Sequence, residues 1–83
     1  MIEKDSNFLP VSVIASFDTK GHITPIYFRY NNEPIRVNVI SIKMNVTSIS
    51  FKCNYYIEEL NTEKTMILFY RLTDHIWCIS KNE

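Results

Sequence analysis

Four residues are best suited to chemistry: His22, Cys53, His75 and Cys78. Together they are enough donors for one tetrahedral zinc ion. Their spacing does not suit it, with no CxxC, no HxxxH and no paired knuckle. Both cysteines fall inside apolar runs, where small buried thiols are ordinary. A disulfide between them would need adjacent strands in compatible register. A thiol nucleophile beside a histidine base is the other chemistry this set allows, and nothing near either cysteine in sequence supports it. Glu58 and Glu59 are adjacent, so on a strand they point to opposite faces and cannot share acid–base work. Asp18, Glu33, Glu63 and Asp74 fall in polar breaks, where solvation explains them. One glycine, Gly21, cannot make a glycine-rich phosphate loop. The expectation is no catalytic residue, no metal ligand and no cofactor.

Binding residues stand out more. Arg29, Arg36 and Arg71 lie inside apolar runs, whereas Lys4, Lys20, Lys64 and Lys81 lie in breaks or tails. If Arg29 and Arg36 face each other across the Asn31-Asn32 turn, they make a positive patch beside Tyr27. Arginine among aromatics on a sheet face can stack bases or bind phosphate and carboxylate. The competing reading pairs these arginines across strands with Glu33, Glu58 or Asp74. Tyr55 and Tyr56 point to opposite faces of any strand, so some ring surface must be exposed or covered by a partner. Trp77 lies on a last strand that could be an apolar edge in need of cover. The candidate binding residues are therefore Tyr27, Arg29, Arg36, Tyr56, Arg71 and Trp77.

The elements that would position them are short. Runs rich in β-branched and aromatic residues (VSVIASF, ITPIYFRY, IRVNVISIKM, ISFKCNYYIEEL, TMILFYRL and IWCIS) alternate with DTKGH, NNEP, NVTS, NTEK and TDH. Such punctuation predicts an all-β domain, a small antiparallel meander of about six strands closed into a partly open barrel. The domain is expected over residues 11–80, with tails at 1–10 and 81–83. Gly21 should take positive φ, and Asn31-Asn32 suits a tight turn. Pro25 argues for an edge or a bulge. The apolar phase switches from Ile35, Val37 and Val39 to Ile40, Ile42 and Met44, as a β-bulge would produce. The expected core is Val13, Phe17, Ile26, Phe28, Val37, Ile42, Phe51, Ile57, Leu68 and Ile79.

Composition narrows the function classes. The 83 residues allow one domain, and twelve isoleucines supply a core without staples. Nine basic and nine acidic residues cancel, which argues against a phosphate backbone as the main partner and gives little repulsion between copies. No stretch reaches the roughly 20 apolar residues of a membrane-spanning helix. The segment MIEKDSNFLPV carries acidic residues and no apolar run of signal length. The abundance of Asn and Ile fits an AT-rich bacterial genome. A reduced, cytoplasmic protein is the expectation.

The stretch from Ala15 to Ile40 carries Gly21, Ile23, Pro25 and Phe28 in a G-x-I-x-P-x-x-F pattern, then Tyr30, Val37 and Ile40. It resembles a small bacterial domain family of unknown function, and LFYRL and IWCIS look like that family's second half. The resemblance implies a small β-barrel-like fold and brings no catalytic residues. The expected function is a non-enzymatic binding module, acting on a protein partner or by self-association. The alternative is single-stranded nucleic-acid binding on a sheet face, as OB-like and cold-shock barrels do.

Overall fold

The computed structural model describes residues 8–80. Eight strands run in chain order: β1 (Phe8–Pro10), β2 (Val13–Phe17), β3 (Ile23–Tyr30), β4 (Glu33–Arg36), β5 (Asn38–Met44), β6 (Ser48–Ile57), β7 (Thr62–Arg71) and β8 (Ile76–Ser80). They form two antiparallel sheets, one of five strands in the order β1-β8-β7-β6-β5 and one of three in the order β2-β3-β4. The all-β expectation stands. The expected six strands become eight because two stretches change sheet partway. Phe8–Phe17 leaves β8 for β3, and Glu33–Met44 leaves β3 for β6. Val37 marks the second change, its N–H donating to the Ile26 carbonyl at 2.9 Å.

Part of the expected N-terminal tail is strand. Phe8, Leu9 and Pro10 pair with Ser80, Ile79 and Cys78. Residues 1–7 and the expected tail 81–83 lie outside the described residues. The pairing also corrects the reading of the last strand as an edge, since β8 lies between β1 and β7.

Turn chemistry explains the connections. Gly21 sits at φ 84°, and Asn31 and Asn32 at 51° and 67°, in the left-handed region these residues tolerate best. Asp18 organises the first turn by accepting from the backbone N–H groups of Lys20 and His22 at 2.8 and 2.9 Å. Pro25 sits in the middle strand of its sheet, beside a bulge. It lies opposite Ala15 beside a register shift, with Ile26 the extra residue. The pairing of β4 along β3 stops at Tyr27, so Pro25 lies beyond that ladder. The phase switch in β5 is also a bulge, with the register shifting between Val39 and Ser41 around Ile40.

The core fills the space between the sheets. Ile23, Phe28, Val37, Ile49, Phe51, Cys53, Met66 and Leu68 are its buried residues. Phe28 of the smaller sheet meets Tyr55 of the larger edge-to-face, with centroids 5.3 Å apart. Burial of Phe51 and Leu68 contributes roughly 1.5–3 kcal/mol each. Two expected core residues, Phe17 and Ile42, are instead exposed. Ile42 does share the inner face, opposite Phe51, but β5 is an edge strand and no described strand lies beyond it.

Candidate functional site

Tyr27, Arg29 and Arg36 come together on the outer face of the three-stranded sheet. Directly opposed residues share a face, and Arg36 is opposite Tyr27 while Arg29 is opposite Pro34. The two arginines are therefore diagonal neighbours and do not oppose one another as expected. The inner face of the same hairpin holds Phe28 and Ile35. The Arg36 guanidinium lies 5.9 Å from the Tyr27 ring centroid, within cation–π range. Arg29 Nη1 donates to the Asn32 carbonyl at 3.3 Å. Neither arginine has a carboxylate partner among the described residues. Exposed Ile14, opposite Tyr27 from β2, completes the surface.

The other three candidates lie elsewhere. Arg71 is paired with Asp74 at 2.5 Å, three residues on, which is the stabilising role weighed against a binding one. Trp77 packs inward against Phe51 and Tyr70, with centroids 5.5 and 4.9 Å apart. The Tyr56 hydroxyl donates to Asn61 Oδ1. Tyr56 and Arg36 also line a cleft of about 610 Å³ between the β3–β4 hairpin and the end of β6, together with Glu33, Glu58 and Glu59.

The residues suited to catalysis do not assemble. His22 Nδ1 lies 3.1 Å from Asp18 Oδ2, and His75 Nδ1 lies 2.9 Å from the Tyr70 hydroxyl, in different turns. The His22 backbone N–H, foremost among several donors, holds the Asp18 carboxyl below its ordinary range. Cys53 is fully buried, and its thiol donates to the Phe51 carbonyl at 3.5 Å. Burial pushes that thiol up from its ordinary 9.0 to about 11, which suppresses the thiolate a nucleophile needs. Cys53 and Cys78 lie on β6 and β8 with β7 between them, and on opposite faces, so they are not bonded to each other. Among the described residues no three His, Cys, Asp or Glu side chains converge as metal ligands would. No helix among them is long and apolar enough to cross a membrane.

The surface that sequence reasoning missed is the outer edge of β5. Ile40, Ile42 and Met44 are 52%, 55% and 69% exposed there, and Val46 at the hairpin tip is 95% exposed. The Asn45 N–H donates to the Ser48 carbonyl at 2.8 Å, which sets the alternation along the β5–β6 ladder. Ser41 and Lys43 turn their peptide groups toward β6, and Ile42 and Met44 turn theirs away from it. Among the described residues β5 pairs with β6 alone. The sequence signal for this surface was the bulge at Ile40, which marks sheet edges more often than centres.

The chain matches no protein-family model, no curated protein and no solved structure.

Proposed function

We propose that this protein is a small non-enzymatic binding module that engages a protein through the open edge of β5. One observation carries the reading: a seven-residue edge strand combines outward peptide groups with exposed Ile40, Ile42 and Met44. Edge pairing draws affinity from main-chain hydrogen bonds and specificity from alternate side chains. Apolar edges of this kind pair with other chains unless they are guarded. The high thiol pKa of Cys53 and the separation of the two histidines support a non-enzymatic role. We read the two sheets as a partly open barrel. The Val11 N–H donates to the Trp77 carbonyl and the Arg29 N–H to the Ser12 carbonyl, both at 3.0 Å, which supports continuity between the sheets. A cytoplasmic bacterial setting and kinship with the small domain family that Ala15–Ile40 resembles belong to the same proposal.

A second reading has its own observation. Arg29 and Arg36 flank Tyr27 on one exposed face without carboxylate partners among the described residues. That arrangement suits the phosphates and bases of a single strand. The zero net charge weighs against it.

A tagged pull-down at near-physiological salt, with and without nuclease, separates the two. The edge reading predicts a protein or a second copy retained after nuclease and lost in Ile42→Lys. The nucleic-acid reading predicts absorbing material removed by nuclease and lost in Arg29→Ala/Arg36→Ala. Capture indifferent to Ile42→Lys would sink the edge reading.

A further inference from the structure

We propose that the occupant of the β5 edge is a second copy of this chain, a step that rests on the edge-binding reading above. The two β5 strands run antiparallel across a two-fold axis, with Ile42 opposite the partner's Ile42. The two five-stranded sheets then become one continuous sheet.

The other sheet edges are poorer templates. β1 has three residues and contains Pro10, and β4 has four and contains Pro34; proline removes a donor from the ladder. β2 has five residues. β5 has seven and no proline, so it offers the longest open ladder among the described residues. Its one charged residue is Lys43.

The register follows from the peptide alternation. Two edge strands bond only where outward peptide groups meet. A two-fold axis at Lys43 would oppose two like charges directly, and one at Ser41 would set the outward groups of Ile42 against the partner's bulged Ile40. An axis at Ile40 would fall on the bulge, where the ladder is broken. An axis at Met44 would pull the β5–β6 turn into the paired segment. Ile42 remains. About that axis the central Ile42 pair is clear of the bulge, Lys43 lies opposite the partner's Ser41, and Met44 reaches the partner's Ile40, where the bulge ends the regular ladder. Apolar residues meet apolar residues, and no like charges oppose.

Charge favours a copy over an oppositely charged partner. The chain carries nine positive and nine negative residues, so two copies approach without net repulsion. The interface is self-complementary, as a two-fold contact requires, and it closes after one pairing.

Sedimentation equilibrium from about 1 to about 500 μM tests the pairing, because a single edge contact belongs in the range where dimers form at such concentrations. The expected result is a monomer–dimer equilibrium whose dissociation constant rises more than about tenfold in Ile42→Lys, since like charges then stand directly opposite. Leu60→Lys, at an exposed position in the β6–β7 turn, should leave the equilibrium unchanged. Ile42→Cys should form a linked dimer under mild oxidation, because a hydrogen-bonded pair holds its Cα atoms about 5.5 Å apart, within disulfide reach. Leu60→Cys should not. Circular dichroism confirms that each variant is folded, and the cysteine pair decides the matter if Ile42→Lys is not. A wild-type chain monomeric throughout, or a dimer that survives Ile42→Lys, overturns the self-pairing. Capture of another protein at the same edge, lost in Ile42→Lys, would then still support the edge-binding reading on its own.

Discussion

Raising the pH should destabilise this protein through one thiol. Cys53 is fully buried, and its folded pKa is pushed up to about 11, against an ordinary 9.0. Between those two values the unfolded chain has lost its proton and the folded chain keeps it. Stability is therefore complete below pH 9.0 and falls as the pH rises through about 11. Between about pH 8 and pH 10 the loss is about 1.3 kcal/mol, at about 1.4 kcal/mol per pKa unit. A domain of this length holds roughly 4–12 kcal/mol in all, so the change is measurable. With an m-value of about 1 kcal/mol/M in urea, the unfolding midpoint should drop by about 1 M. Other effects of pH act on both proteins alike, so the informative quantity is the difference between wild type and Cys53→Ala. The variant removes the titration, and its small cavity costs the same at both pH values. The midpoint gap between the two proteins should shrink as pH rises. A gap equal at both values would refute the assignment of a buried protonated thiol, and with it one support for a non-enzymatic role.

Leu68→Ala, at a fully buried central position of the larger sheet, should cost about 2–5 kcal/mol in chemical unfolding. Gly21→Ala should cost about 1 kcal/mol, from φ 84° alone, because no atom of the described residues lies within 4 Å of the added methyl. Removal of the Asp18 carboxylate in Asp18→Ala should loosen the β2–β3 turn. The stability it supplies should be lost as pH falls through its lowered pKa, seen as acid sensitivity present in wild type and absent in the variant. Arg29→Ala/Arg36→Ala should change the unfolding midpoint little, since neither side chain has a carboxylate partner among the described residues. The same double variant should leave β5 pairing intact, read by sedimentation.

Features fixed by neighbouring residues were legible in the sequence, and those set by distant pairing were not. Gly21 and Asn31-Asn32 announce their turns because few other residues tolerate positive φ. The bulge at Ile40 was readable because it breaks a period of two. Strand β1 was not, because Phe8–Pro10 is strand only through β8, some seventy residues away. The exposure of Ile42 was hidden for a related reason. Alternation tells which face a residue shares, and Ile42 does share the inner face with Phe51, but it says nothing of whether another strand lies beyond. Among the candidate site residues, the hairpin made the grouping of Tyr27, Arg29 and Arg36 foreseeable. Arg71 was absorbed by Asp74 in the adjacent turn, and Trp77 by rings from two other strands.

Backbone amide exchange followed residue by residue across a dilution series tests the open β5 edge most directly. The account predicts that Ser41 and Lys43 are protected at every concentration, because their amides bond to β6. Ile42 and Met44 should exchange rapidly when dilute and become protected when concentrated. Rapid exchange of Ile42 and Met44 at all concentrations would contradict pairing between copies. Protection of both in the dilute monomer would contradict the open edge itself.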